Sequence, residues 1–274
     1  MIDNKGRFFI FNSKVEAAQK LEQIRAGMGN AVYEVIRIID GVPLFLEDHY
    51  IRLTGSLSLL GFGVSITVDG LREQIDTLVC ANEEHNCNIK IIVYAGHPSN
   101  QYLLYVSSSY YPTCEEIEKG VKVSLFEWER NSPNIKLLNK NYKDEVGKYM
   151  QDTGSFEALL VNTEGKITEG SRSNAFFVKG CKVYTAPGEY VLKGVTRKYV
   201  IDTCMKLGME VVETLADIHL LDKFEGLFIS GTSIKVLPVY DVGGHQYKSG
   251  THPSIVSVRD QFNKLIDDYI MEHR

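Results

Sequence analysis

The sequence lacks the charge pattern of a nucleic-acid-binding protein and the long apolar runs of a membrane protein. Its 30 lysines and arginines are outnumbered by 35 aspartates and glutamates, which gives a formal net charge of −5. Nucleic-acid-binding domains carry a strong basic patch, so this class is not expected. No apolar stretch approaches the roughly 20 residues that a membrane-spanning helix needs. We therefore expect neither nucleic acid nor a membrane among the partners.

Cysteine is also scarce, and its spacing carries no recognisable motif. The five cysteines are Cys80, Cys87, Cys114, Cys181 and Cys204. No pair has the spacing of a zinc or redox site, so we expect no bound metal. Unpatterned thiols are typical of proteins in a reducing compartment. The first residues do not follow the pattern of a secretory signal either, and together these features predict a cytoplasmic protein.

The composition that is present is that of an ordinary globular protein, 44% hydrophobic and 24% charged. Such a chain can bury one large core or two medium ones. Its predicted strands and helices follow one another without strict βαβ alternation, which favours an α+β fold. We predict an N-terminal α/β domain over 1–112, a charged linker over 113–120 and a C-terminal α+β domain over 121–274.

Three segments predict secondary-structure elements close to the candidate functional residues. Residues 13–29 (SKVEAAQKLEQIRAGMG) have a helical composition and end on glycines, and residues 134–154 (NIKLLNKNYKDEVGKYMQDTG) predict a second helix. Residues 31–40 (AVYEVIRIID) predict a strand that turns into a hairpin at its Asp-Gly end. Lys136, which lies within 134–154, would therefore be part of a helix.

Lys136 is flanked by apolar residues in the segment IKLL. An apolar setting favours a neutral, nucleophilic amine, which suits covalent bonding to a carbonyl group. The simpler interpretation is a lysine that extends from a half-buried helix to solvent. On a helix, Lys140 and Lys143 would share its face and compete for the same role.

Three further polar features lie at the ends of predicted elements. Glu169 ends a strand and precedes a polar run, GSRSN. Gly194, Val195 and Thr196 begin a predicted helix, where backbone N–H groups can bind an anion. A hydroxyl-rich turn, SGTS over 230–233, follows an apolar strand. Each feature alone has a structural explanation as a turn or a helix start, so none decides the function by itself.

Taken in order, these segments resemble the class IV aminotransferases, which are pyridoxal-phosphate enzymes of fold type IV. The matching segments are IKLLN (135–139), FEALLVNTEGKITEGSRSNAFFV (156–178), KGVTRKYVI (193–201) and FISGTSIKVLPV (228–239). Residues 29–53 are similar to the family's first strand, hairpin and arginine-bearing helix. The resemblance implies a two-domain α+β fold like that of D-amino-acid aminotransferases, and a homodimer.

The resemblance also implies roles for individual residues. Lys136 would bind pyridoxal 5′-phosphate as a Schiff base and then carry the transferred proton, while Glu169 would pair with the pyridine nitrogen. The phosphate would be held by Arg52, Val195, Thr196 and Thr232. The residues lining the cofactor beside the glutamate would be Ser171, Ser173 and Asn174.

The substrate side resembles the family less closely. Tyr33 would face the substrate. The Arg-x-His carboxylate trap of D-amino-acid aminotransferases is missing from the short segment HPSNQ (97–101), where His97 is the remaining candidate. Arg172 occupies a position where small residues are usual, and it either meets a substrate carboxylate or points to solvent.

Three functions are open on this basis. The first is a branched-chain-like aminotransferase that uses an amino acid and a 2-oxoacid, which the intact glutamate block favours. The second is aminodeoxychorismate lyase, which forms 4-aminobenzoate and pyruvate with the same cofactor and lysine. Lys140 favours it, because branched-chain enzymes usually have tyrosine there. The third is a non-catalytic relative that keeps the fold.

Overall fold

The structure is a computed structural model that describes residues 3–25, 31–63, 66–94, 100–130 and 133–274. Its contacts divide the chain into two compact units. The first unit comprises Met1–Tyr110, Ile135–Leu138 and Ile266–Arg274, and the second comprises Tyr111–Asn134 and Asn139–Leu265. Lys136 thus belongs to the first unit, together with the N-terminal strands and helices.

One antiparallel sheet forms the centre of the first unit. Its strands are β1 (Asn4–Phe11), β2 (Lys14–Ala17), β3 (Ala31–Ile39), β4 (Val42–Pro43), β5 (Asn88–Tyr94) and β6 (Gln101–Ser107). They are ordered β2-β1-β6-β5-β3-β4. The β3–β5 pair runs without a bulge from Ala31 opposite Tyr94 to Arg37 opposite Asn88. This regular pair fixes the face on which each β3 side chain lies.

Helices cover the sheet of the first unit. They are α1 (Leu21–Arg25), α2 (Leu46–Leu59) and α3 (Val68–Asn82). The buried residues Leu46, Leu53 and Leu57 give α2 an apolar stripe at helical spacing, which packs in one core with Ile36 and Ile89. On the same helix, Arg52 hydrogen-bonds to Glu34 of β3.

A ten-stranded mixed sheet forms the centre of the second unit. Its strands are β7 (Val121–Glu127), β8 (Glu157–Val161), β9 (Lys166–Gly170), β10 (Asn174–Lys179), β11 (Lys182–Thr185), β12 (Glu210–Glu213), β13 (Ala216–Asp217), β14 (Gly226–Gly231), β15 (Lys235–Val242) and β16 (His245–Gln246). The order is β12-β11-β10-β14-β15-β7-β8-β9-β13, and β16 pairs with β15. The α-helices that follow in the described part of the chain are α4 (Cys114–Lys119), α5 (Lys140–Thr153), α6 (Val195–Lys206) and α7 (Pro253–Glu272), and the last residues of α7 belong to the first unit.

The helix predicted over 13–29 is wrong for most of its described length. Val15 and Glu16 pair with β1 as part of β2, and only Leu21–Arg25 is α-helical. The cause is a two-residue hairpin turn at Asn12 and Ser13, which both adopt positive φ angles, 45° and 68°. Such turns match the twist of paired strands and return the chain directly into the sheet.

The charged segment predicted as a linker contains a helix of its own. Thr113 caps α4 by accepting a hydrogen bond from the backbone N–H of Glu116, and the Glu116 carboxylate accepts from the N–H of Thr113 in return. This reciprocal capping box satisfies two backbone donors that a helix start would otherwise leave open. The segment therefore holds a defined conformation before β7 begins.

Candidate active site

The segment around Lys136 is an extended addition to β3, and the predicted helix is wrong over these residues. The backbone N–H of Tyr33 donates to the carbonyl of Lys136 at 3.0 Å, and the N–H of Leu138 donates to Ala31 at 3.0 Å. The helix begins only at Lys140 because Asn139 caps it, accepting a hydrogen bond from the next turn. Lys136 therefore does not share a helix face with Lys140 and Lys143.

The amine of Lys136 lies over an aromatic ring. Its Nζ is 4.8 Å from the centre of the Tyr33 ring, within the range of a cation–π contact. A second cation, Lys90 Nζ, lies 5.3 Å from the same ring and is paired with Asp3 at 3.3 Å. The half-buried Tyr33 ring thus orients the lysine amine while the backbone of β3 holds its main chain.

A buried carboxylate, imidazole and guanidinium lie on β3 and α2 of the same unit. Arg52 grips Glu34 with two donors, Nε to Oε1 and Nη2 to Oε2, both at 2.8 Å. His49 Nδ1 lies 2.7 Å from Oε2 of the same carboxylate. Glu34 and His49 are almost fully buried, and the Arg52 side chain is 12% exposed. The buried Glu34 carboxylate therefore holds the Arg52 side chain in one orientation.

The electrostatics of this cluster favour an ionised glutamate and a neutral histidine. Burial alone would raise the pKa of Glu34, but the Arg52 charge and the hydrogen bonds from His49 and Arg52 outweigh it and lower the pKa to about 2. Burial lowers the pKa of His49 below its usual value, against the opposing effect of Glu34. The neutral His49 then donates its Nδ1–H to the glutamate.

We expect the free energy of unfolding of the cofactor-free protein to fall as the pH drops below about 6.5, the ordinary pKa of histidine. His49 has a lower pKa when folded, so the unfolded chain takes up the proton first and stability is lost as the pH falls. In His49→Asn, which keeps a donor near the Nδ1 position, the loss should be smaller. Urea unfolding between about pH 5 and 8 measures it.

The exposed His245 supplies the matched control for this prediction. His245→Asn removes an exposed imidazole and leaves the buried His49 in place, so the pH dependence of its stability should follow that of the unchanged protein. Equal pH slopes for His49→Asn and His245→Asn would show that the buried imidazole is not the source of the effect.

In the second unit, Glu169 lies near the end of β9 and is 3% exposed. Its Oε1 is 3.0 Å from Arg130 Nε, and its Oε2 accepts the backbone N–H of Leu192 at 3.1 Å. Arg130 also donates through Nη2 to the carbonyl of Ser171 at 3.0 Å. One arginine therefore ties the glutamate to the turn that follows it.

An aromatic cluster packs against this arginine. The guanidinium of Arg130 lies 5.4 Å from the Tyr142 ring centre, and that ring is 5.1 Å from Trp128, the chain's one tryptophan. Burial raises the pKa of Tyr142 to about 12 against the lowering effect of Arg130, with smaller contributions from the carboxylates of Glu157 and Glu169. The phenol is therefore neutral at physiological pH.

The serines of the polar run face a second buried glutamate rather than open space. The hydroxyls of Ser171 and Ser173 both donate to Glu157, the second at 3.1 Å. Arg172 is exposed, and its guanidinium donates to the carbonyl of Phe156 at 2.9 Å. The run is thus a tight, hydrogen-bonded turn between β9 and β10.

The predicted anion site at the start of α6 lies beside Asn174 of β10. Gly194 precedes the helix and has no side chain to cap it, so the first backbone N–H groups, beginning at Val195 and Thr196, remain available. Asn174 packs so tightly here that a Cβ on Gly194 would lie 2.3 Å from its Oδ1. In β14, opposite Asn174, the buried hydroxyl of Ser230 has no hydrogen-bond partner within the described part of the chain. Thr232 follows in the next turn.

Sequence patterns did not single out Glu34 and His49 of the first unit or Arg130 and Glu157 of the second. Arg130 lies in the segment after β7, Glu157 begins β8, Glu34 lies within β3 and His49 lies within α2. For Glu34 and Glu157 the available sequence signal was a carboxylate between two apolar or aromatic neighbours. His97 lies outside the described residues, and so does any geometry of the short loop that contains it.

No group of three or more histidine, cysteine, aspartate or glutamate side chains in the described ranges is arranged to hold a metal ion. Over the same ranges, none of the helices combines the length and the apolar character needed to cross a bilayer.

Comparisons with known proteins agree with the sequence and the fold. A family model described as amino-transferase class IV matches residues 31–242. D-alanine aminotransferase of Bacillus licheniformis is 28% identical over 258 residues, covering 88% of this chain and 90% of that protein. Branched-chain-amino-acid aminotransferase of Salmonella typhimurium is 29% identical over 244 residues, covering 81% and 79%. The crystal structure of the Escherichia coli branched-chain enzyme has a TM-score of 0.85 at 25% identity and covers 95% of both chains.

These matches confirm the predicted α+β fold as that of the fold type IV aminotransferases. The family model covers the segments that contain the lysine of the first unit and the glutamate, helix start and hydroxyl-rich turn of the second. The family model spans most of the chain, and the relatives also match most of it. This chain therefore belongs to the class IV aminotransferase family.

Proposed function

We propose that this protein is a pyridoxal-phosphate-dependent aminotransferase that acts on an amino acid and a 2-oxoacid, in the manner of branched-chain enzymes. The observation that carries the proposal is the family match over 31–242, within which Lys136 and Glu169 are both present. When bound, pyridoxal phosphate supplies an electron sink that stabilises negative charge on the substrate's Cα.

The residues of the second unit fit this cofactor. A phosphate monoester suits the open helix start at Val195 and Thr196, because backbone N–H groups and the helix dipole both favour an anion. The unpartnered buried hydroxyl of Ser230 marks a polar region nearby, and Thr232 supplies another hydroxyl. The buried carboxylate of Glu169 suits a protonated ring nitrogen. Ser171, Ser173 and Asn174 would form the adjoining wall.

The residues of the first unit would supply the amine and a phosphate ligand. Lys136 Nζ would be the point of covalent attachment, and the freed amine would then take up the proton from the substrate's Cα. Arg52 would contribute its guanidinium to the phosphate, a pairing for which arginine's planar fork of donors is well suited. Glu34 and His49 would keep that guanidinium in one orientation.

The substrate side would include Tyr33, whose ring already contacts the lysine amine. Arg172 is less suited to a substrate carboxylate than to its present contacts, because its guanidinium is tied to the carbonyl of Phe156. His97 stays a candidate from sequence alone.

A half-reaction screen tests the proposed function. The loaded protein is mixed with single L- and D-amino acids, and the visible absorbance of bound pyridoxal phosphate is followed as it converts to the pyridoxamine form. Conversion by branched-chain L-amino acids, followed by recovery with a 2-oxoacid, supports the proposal. No conversion with any amino acid, despite bound cofactor, would contradict it and leave the lyase and the non-catalytic relative as the alternatives.

Lys140 motivates the alternative function. A basic residue after Asn139 is a feature shared with aminodeoxychorismate lyases, whereas branched-chain enzymes usually have tyrosine there. Release of 4-aminobenzoate and pyruvate from aminodeoxychorismate, without conversion by amino acids, would identify the lyase.

A homodimer and a cytoplasmic location are further parts of the proposal. The dimer follows from the family resemblance, and light scattering during size-exclusion chromatography tests it. The location follows from cysteine usage: all five cysteines are free thiols, as is usual in a reducing compartment. Fractionation of cells that express the tagged protein tests the location.

A further inference from the structure

Glu157 is a buried carboxylate to which family membership assigns no role in this chain. It begins β8, whose other residues are Ala158–Val161, and it is 1% exposed. Carboxylates are seldom buried to this extent unless their oxygens are fully hydrogen-bonded, because removing them from water is costly. The hydrogen bonds of Glu157 therefore indicate the role of its buried carboxylate.

Four hydrogen bonds saturate this carboxylate. Oε1 accepts from the N–H of Ala158 at 2.9 Å and from the hydroxyl of Ser171. Oε2 accepts from the N–H of Arg172 at 3.2 Å and from the hydroxyl of Ser173 at 3.1 Å. Three of the four donors thus come from consecutive residues of one turn, the turn that directly follows Glu169-Gly170.

The turn is packed so closely around Glu157 that it requires glycine at 170. A Cβ at Gly170 would lie 2.1 Å from Ser173 Oγ and 3.3 Å from Glu157 Cδ. The backbone N–H of Gly170 also donates to the carbonyl of Ser173 at 2.8 Å. The carboxylate, the turn and the end of β9 therefore form one closely packed, hydrogen-bonded cluster.

This turn also holds the arginine that contacts Glu169. The carbonyl of Ser171 receives Arg130 Nη2 at 3.0 Å, and Nε of the same arginine lies 3.0 Å from Glu169 Oε1. Contacts thus lead from Glu157 through Ser171 and Arg130 to Glu169. A change in the turn would move the arginine and, with it, the carboxylate.

We propose that Glu157 is a positioning residue that holds Glu169 ready for the cofactor's ring nitrogen. This rests on the proposed function, which assigns Glu169 to that nitrogen. The role needs an acceptor on every side of the carboxylate. In Glu157→Gln the amide NH2 would face the backbone N–H of either Ala158 or Arg172, and neither can reverse its polarity. Glu157→Asp keeps both acceptor oxygens but shortens their reach.

The test compares two cofactors on the cofactor-free protein, without any catalytic turnover. One is pyridoxal phosphate, and the other is its 1-deaza analogue, in which a C–H group replaces the ring nitrogen. Quenching of Trp128 fluorescence measures both dissociation constants, since this is the only tryptophan of the chain. The ratio of the two constants reports the interaction of Glu169 with the ring nitrogen and cancels general effects on the pocket.

The expected result is a preference for pyridoxal phosphate that Glu169→Gln abolishes and that Glu157→Gln reduces by about tenfold, the value of one charge-assisted hydrogen bond. Glu157→Asp should give an intermediate ratio, and it also serves as the test if Glu157→Gln does not fold. Glu164→Gln is the matched control, because this exposed glutamate lies on the β8–β9 turn of the same hairpin. It should leave the ratio unchanged.

Two outcomes would overturn the proposal, and they differ. If the Glu157 variants weaken both cofactors equally, the ratio is preserved and Glu157 supports the fold without positioning Glu169. If Glu169→Gln itself leaves the ratio unchanged, the assignment of Glu169 in the proposed function fails, and the role of Glu157 fails with it.

Discussion

Lys136→Ala should lower kcat/KM for transamination by about 10⁴-fold, the upper range for loss of a positioned proton-transfer group. The variant lacks both the amine that would bond the cofactor and the base that would take the proton from Cα. Steady-state assays with a branched-chain L-amino acid and a 2-oxoacid measure the loss. A small primary amine added to the assay should restore part of the rate, because it can replace the missing base.

The structural cost of the same change should be small. Lys136 is held to β3 through its carbonyl, which receives the N–H of Tyr33, and alanine leaves that bond intact. Only the amine–ring contact is lost, and such contacts contribute about 0.5–1 kcal/mol at partly exposed sites. The thermal midpoint of the cofactor-free variant should therefore remain close to that of the unchanged protein.

Lys143 provides the control for the lysine assignment. It is exposed on α5 and is not part of the extended segment that contains Lys136. Lys143→Ala should keep full activity, and borohydride reduction of the loaded protein should fix the cofactor on the peptide containing Lys136. Labelling of a different lysine, or an active Lys136→Ala variant, would refute the assignment.

The sequence was most informative where one residue determines the local conformation. Asp40-Gly41 predicted the hairpin after β3, and Gly194 marked the start of α6; both are confirmed. Sequence composition gave the wrong secondary structure where a helix cap or a turn determined the local conformation instead. The apolar and basic residues around Lys136 suit a helix, yet Asn139 delays the helix and lets the lysine segment pair with β3.

The buried charges were beyond sequence patterns for a different reason. Arg130 and Ser171 are 41 positions apart, and their contact exists only because β7, β8 and β9 are neighbours in one sheet. Local periodicity carries no information on such pairs. A glutamate at the start of an apolar strand, such as Glu157, looks like a strand end facing solvent until the pairing of β8 and β9 is known.

Arg52→Ala should destabilise the cofactor-free protein by about 3–5 kcal/mol, because it leaves a buried carboxylate without its charge partner. Glu34 is 1% exposed and receives two hydrogen bonds from Arg52. Chemical denaturation at neutral pH measures the loss. Arg72→Ala is the matched control: its partly exposed pair with Glu47 should contribute at most about 1 kcal/mol.

The pH dependence identifies the cause of the loss. In the unchanged protein the pKa of Glu34 is lowered to about 2, so its stabilising contribution is present above the unfolded value of 4.5 and is lost as the pH falls towards 2. Without Arg52, burial should instead raise the pKa of Glu34 above its unfolded value, and protonation should then relieve the unpaired charge. The difference between Arg52→Ala and the unchanged protein should therefore shrink as the pH falls from 7 to about 4.

Glu34→Gln separates the two roles proposed for Arg52. This variant loses stability but retains the guanidinium, so the folded protein should still bind pyridoxal phosphate, whereas Arg52→Ala should lose affinity even where it is fully folded. The double variant Glu34→Gln/Arg52→Ala should lose less stability than the sum of the two single changes. Each single change leaves the partner's charge buried and unpaired, and the double change removes both charges. Additive losses in stability would show that the arginine does not serve the carboxylate as proposed. Equal cofactor affinity in Arg52→Ala and the unchanged protein would show that it does not serve the phosphate.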